Sequence, residues 1–167
     1  MNAPVRNLPL TDDDLRLVAQ IGFIALESAQ VLHAQVIFDA LRVIKPEKSL
    51  PWIGLSQVQL GLGRAQEAVR MLRKALVEHP ADGDLLAYLG LALREAGHER
   101  ESNAVLQSAC DAGQPTDPHV AMARALLTRP PAGGVSTAPR RKAQPALAAT
   151  YPKIPPPRLR RESRHAR

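Results

Sequence analysis

Cysteine is almost missing from this chain. Cys110 stands alone among 167 residues, so no internal disulfide can form, and a reducing compartment is expected. Aromatic residues make up only 3% against 45% hydrophobic residues overall, so the core must be built from Leu, Ala and Val, a composition that favours helix. Long apolar runs are also lacking. The stretch "LLAYLGLAL" (Leu85–Leu93) is nine residues long, and a bilayer span needs roughly 18. The first residues, "MNAPVRNLPLTDDDL", contain no apolar signal-peptide core, so a cytoplasmic location is expected. The histidines, His33, His79, His98, His119 and His165, show no metal-ligand spacing with one another or with Cys110. "GLGRAQEA" at 61–68 lacks the lysine and spacing of a phosphate loop and reads as a turn. No catalytic constellation is visible, and neither an enzyme activity nor a cofactor is expected.

The net charge of +6 conceals two different objects. Residues 1–128 hold 12 Lys/Arg and 15 Asp/Glu, a balance of −3, whereas residues 129–167 hold 10 Lys/Arg and the single acid Glu162, a balance of +9. That last segment also holds eight prolines and shows no apolar periodicity. It cannot bury enough surface to offset its ordering entropy, so a disordered, basic, Pro-rich tail is expected, with local polyproline II near "IPPP". A solubilising role and an electrostatic one, toward nucleic acid, anionic lipid or an acidic partner, both fit it. Nucleic acid is the less supported, because only Tyr151 interrupts the basic runs.

The body is all-α by pattern. "TDDDL" at 11–15 supplies an N-cap at Thr11 or an Asp, with acids in the first turn. Pro and Gly then cluster between apolar-periodic segments, which places helices at 12–28, 31–44, 50–61, 65–78, 82–96, 99–111 and 117–127. Short connections make successive helices antiparallel neighbours. Laid over itself with Pro46 on Pro80, the chain matches at many further positions. Ala34 falls on Ala68, Gly22 on Ser56 and Gly90, Leu55 on Leu89, Gly63 on Gly97, Phe38 on Leu72 and Leu106, and Ala75 on Ala109. The small residues at Gly22, Ser56, Gly90, Ala34 and Ala68 permit close approach of helix backbones, and the prolines end the second helix of each pair.

This 34-residue period and its pattern resemble the tetratricopeptide repeat. The middle unit reads Trp52, Leu55, Ser56, Gly63, Ala68, Leu72, Ala75, Pro80. The third departs from the pattern, with Ser102 where Ala is usual and its closing proline displaced to Pro115, as suits a terminal repeat. The resemblance implies three repeats, about 15–48, 49–82 and 83–116, forming a short right-handed solenoid over 12–128, with a capping helix at 117–127 and a flexible N-terminus at 1–11. The phrase "ALESAQVLHAQVIFDALRVIKP" is further similar to the first repeat of the tetratricopeptide chaperones of type III secretion, chiefly the apparatus-assembly (YscY-like) group, with the needle and translocator chaperones as competitors. The implied function is a cytoplasmic chaperone that keeps a small secreted apparatus, needle or translocator subunit soluble and export-competent. A second chaperone, an export-gate component or a second copy of the chain are further implied partners. The alternatives are a general tetratricopeptide scaffold, or an adaptor acting through the tail on nucleic acid or anionic membrane.

In such repeats the first helix of each pair lines the concave face. The resemblance therefore puts Phe23, Leu26, Leu50, Ile53, Gln57, Leu60, Ala87, Leu91 and Arg94 in a mostly apolar partner-binding groove, with Arg16, Glu27, Asp84 and Glu95 around it. Such a groove suits an apolar helix or extended segment. The competing reading has these residues buried within the chain, against the N-terminal segment or the last helix, or in a homodimer.

Overall fold

The computed structural model describes residues 11–129. The expected flexible N-terminus and the basic tail fall almost wholly outside the described residues. Among those residues there are seven helices and no strand: α1 Asp12–Glu27, α2 Val31–Ile44, α3 Leu50–Gly61, α4 Ala65–Glu78, α5 Gly83–Glu95, α6 Glu99–Asp111 and α7 Pro118–Thr128. Each lies within a residue of its expected bounds. None is long and apolar enough to cross a membrane.

Local chemistry starts and stops each helix. The Thr11 hydroxyl accepts from the Asp14 backbone N–H at 3.2 Å, and the Asp14 carboxylate accepts from the Thr11 backbone N–H at 2.9 Å, a reciprocal capping box. The Thr11 hydroxyl, donating to the Asp14 carboxylate at 2.7 Å, and the Thr11 N–H together hold that carboxyl below its ordinary value. Asp82 caps α5 by accepting from the Leu85 N–H at 3.0 Å. Prolines at the first turns of α3 and α7 cost nothing, because N–H groups there lack helical partners anyway. The chain leaves α1, α3 and α5 by one recurring turn, with the N–H of Gln30, Arg64 and His98 each bonding at 2.8 Å to Ala25, Gln59 and Leu93 carbonyls. The residue before each donor lies in the left-handed region: Ala29 at φ 59°, Gly63 at 72° and Gly97 at 82°.

Each helix packs on the next, and the first helices of the pairs also touch in sequence, α1 on α3, α3 on α5 and α5 on α7. This is the tetratricopeptide-like architecture, and α7 occupies the place of a fourth first helix. Its core is three successive clusters rather than one. The first joins Leu15, Ala19, Ala34, Phe38 and Leu41 to Leu55 and Val58 of the next repeat. The second joins Ile53, Ala68 and Leu72 to Leu85, Leu89 and Ala92. The third joins Ala87, Leu106 and Ala109 to Ala123 of α7.

Phe38 shows what the small residues are for. Its ring is fully buried between two glycine backbones; a Cβ on Gly22 would come within 2.7 Å of it, and one on Gly54 within 2.2 Å. Gly90 serves Leu106 in the same way, at 2.4 Å. Ser102, the departure from the repeat pattern, is fully buried here, and its hydroxyl donates to the Gly90 carbonyl at 2.7 Å. The hydroxyl is thus satisfied across the α5–α6 contact, as a buried polar group must be.

Candidate functional site

The first helices present their shared face as a sequence of rows. In the 34-residue register Phe23, Gln57, Leu91 and Ala125 form one row, and Leu26, Leu60, Arg94 and Thr128 form the next. Phe23, Leu26, Leu50, Leu60 and Leu91 are all half-buried, their inner sides resting on the core. Leu26 and Leu50 rest on the first cluster, Leu60 and Leu91 on the second, and Phe23 on both. The Phe23 ring lies 4.9 Å from that of Phe38, tilted by 58°, which anchors it against the buried ring. Each of α1, α3 and α5 thus contributes half-buried apolar side chains to this face, with Gln57 between Phe23 and Leu91.

The remaining expected groove residues fare differently. Ile53 is 3% exposed and Ala87 0% exposed. Ile53 sits within the second cluster, and α7 closes over Ala87 through Ala123. Both are core residues, and neither offers surface to a partner in the chain as folded. Arg94, expected as a polar point on the groove rim, is half-buried, and its guanidinium donates to the Leu126 carbonyl in the last turn of α7. That carbonyl also accepts from the Arg129 N–H at 3.3 Å, and the added bond from Arg94 clasps α7 to α5. Gln57 is half-buried, and its Nε2 is buried with no hydrogen-bond partner among the described residues. A buried amide left so is costly unless another molecule satisfies it.

One surface residue was missed by the sequence reading. Met122 of α7 is half-buried against both the second and third clusters, with part of its side chain left at the surface. Its register mates, Gly54 and Tyr88, are buried, so the repeat register alone assigns this position to the core. At the start of α5, burial pushes the Asp84 carboxyl above its ordinary value. Asp82 and Asp117 add to that effect, and His119, with Nδ1 3.9 Å away, opposes it.

No family model and no curated protein matches the chain. Solved structures do. The type III secretion translocator chaperone SycD of Yersinia enterocolitica superposes with a TM-score of 0.60 at 18% identity, covering 70% of this chain and 90% of SycD. A second SycD crystal structure, of an alternative dimer, gives 0.59 at 18%, covering 72% and 93%. PcrH in complex with the chaperone-binding region of PopB gives 0.58 at 18%, covering 71% and 96%. The chain therefore shares the helical-repeat fold of these translocator chaperones.

Proposed function

We propose that this chain is a type III secretion chaperone that holds a secreted subunit by burying an apolar segment of it along Phe23, Leu26, Leu60, Leu91 and Met122. The observation that carries this reading is the row of half-buried apolar side chains contributed by successive first helices, with the unpartnered Gln57 amide among them. The apolar anchors supply affinity, and the amide supplies register by hydrogen-bonding the bound backbone. Binding is the whole mechanism: it keeps the subunit soluble, and no nucleotide takes part. The shared fold with SycD and PcrH supports a translocator as the first substrate class to try, ahead of apparatus or needle subunits.

The test is co-expression with small secreted proteins encoded near the gene. A one-to-one complex is expected to survive size exclusion with the wild-type chain, and Leu91→Asp or Leu60→Asp is expected to abolish it with helicity unchanged. Ile53→Asp is uninformative, because a charge at that buried position unfolds the repeat. Wild-type recovery of the partner by both Leu variants would overturn the groove assignment.

A further inference from the structure

A second site lies on the opposite face of α3. At about 100° per residue, Trp52, Leu55 and Gln59 point away from Leu50 and Gln57. They floor an open cleft of about 380 Å³ between α2 and α4. Gln35, Asp39 and Arg42 of α2 form one wall, and Glu67, Arg70, Met71 and Lys74 of α4 form the other.

The repeat register shows that this cleft is unusual. Gln35, Arg42 and Gln59 correspond in the next repeat to Val69, Leu76 and Leu93, which pack into the second cluster. There an Arg73–Glu101 ion pair joins α4 to α6. Between α2 and α4 the same positions carry polar side chains instead. Three polar atoms are buried there with no partner among the described residues: Trp52 Nε1, Arg42 Nε and Gln59 Oε1. Trp52 itself is 8% exposed. Each such atom weakens the fold while it stays unpaired. An architecture that fills the equivalent positions with aliphatics one repeat later has no packing reason to keep them.

The charges select the ligand. Asp39 is paired with Arg42 at 3.3 Å, and Glu67 with Arg70. Lys74 forms no ion pair among the described residues and lies 5.9 Å from the Trp52 ring centre, with the Arg42 guanidinium 5.4 Å from it. The cleft thus has one cation in excess, two N–H donors and one amide acceptor. We propose that it binds a short extended peptide segment bearing a carboxylate. Lys74 takes the carboxylate, Trp52 and Arg42 donate to peptide carbonyls, and Gln59 accepts a peptide N–H. The chain's own tail is the wrong occupant, since residues 129–167 carry ten Lys/Arg and one acid.

Trp52 is the chain's single tryptophan, so its fluorescence in the full-length protein reports on this cleft alone. The blocked peptide acetyl-Ala-Glu-Ala-amide is expected to give a saturable change. Its Gln analogue should bind at least fivefold more weakly, and inorganic phosphate should give no comparable change. Lys74→Glu, at an exposed position, should lose the response with helicity intact, while Lys74→Arg retains it. Gln59→Leu, which installs the residue of the next repeat, should lose it too. Equal responses to the acidic and neutral peptides, a matching response to phosphate alone, no response to the acidic peptide, or an unchanged titration in Lys74→Glu would each overturn the proposal. None of these outcomes bears on the groove of the first helices, which is on the other face of α3.

Discussion

The two ends of the repeat array are finished differently. At the C-terminal end, α7 turns Ala121, Arg124, Ala125 and Thr128 outward, all small or polar, while Val120 and Ala123 pack inward. At the N-terminal end, α1 exposes Leu17, Ile21 and Ile24 at 55%, 52% and 59%. The 34-residue register explains the contrast. Those positions correspond to Pro51, Leu55 and Val58 in the second repeat and to Leu85, Leu89 and Ala92 in the third, and all six are buried. In the later repeats this stripe is the surface that packs on the preceding hairpin. In the first repeat it has the same chemistry with no preceding hairpin among the described residues. A solenoid needs polar ends to remain soluble, and here one end meets that need while the other keeps an interior face.

The contrast makes the same substitution mean different things along one stripe. Leu89→Ala and Leu55→Ala each remove a packed side chain between repeats and are expected to cost about 2–5 kcal/mol in denaturant unfolding. Ile21→Ala, at the equivalent position of α1, should cost less than about 1 kcal/mol, since half of that side chain already meets solvent. A cost at Ile21 equal to that at Leu89 would show that the N-terminal end is covered in solution and would end the comparison.

The interior differs between repeats as well, and a smaller effect tests it. Phe38 occupies the position held by Leu72 and Leu106, and it fits because Gly22 and Gly54 both lack a Cβ. Gly54→Ala is expected to cost about 1–3 kcal/mol through overpacking. The double variant Gly54→Ala with Phe38→Leu should lose less than the sum of the two single changes, because the smaller side chain makes room for the new methyl. Strict additivity in thermal unfolding would mean that the ring and the glycine do not press on each other.

How much of this was legible in the sequence depends on which signals were local. The helices and the register follow from Pro and Gly punctuation, and Pro46 with Pro80 sets the second-helix ends almost unaided. The face of the first helices is legible as well, because periodicity separates Phe23, Leu60 and Leu91 from the deepest core. What periodicity cannot say is which members of that face another part of the chain covers. Ala87 is buried because α7 returns across α5, and Arg94 is engaged because that return sets the last turn of α7 against it; both facts are tertiary. Gln59 and Arg42 look like ordinary polar positions until their register mates, Leu93 and Leu76, are seen to be aliphatics packed in the second cluster.

The smallest expected effect concerns a position that the glycine pattern conceals. Gly63 and Gly97 match in the repeat register, but the same register places Ala29 in the first repeat, so glycine spacing alone finds only two of the three turns. All three carry the same 2.8 Å bond from the following N–H and the same left-handed backbone, which for Ala29 means φ 59°. A Cβ in that conformation costs roughly 1–2 kcal/mol. Glycine removes this strain but loses more backbone entropy on folding, by roughly 0.5–1 kcal/mol. Ala29→Gly is therefore expected to stabilise the chain by at most about 1.5 kcal/mol, seen as a melting-temperature rise of a few degrees. Gly63→Ala and Gly97→Ala should shift it the opposite way by similar amounts, since space is not limiting at either: no heavy atom lies within 4 Å of the added Cβ. If Ala29→Gly instead destabilises, the first turn is held by something other than its backbone geometry, and the equivalence of the three repeats stops at their helices.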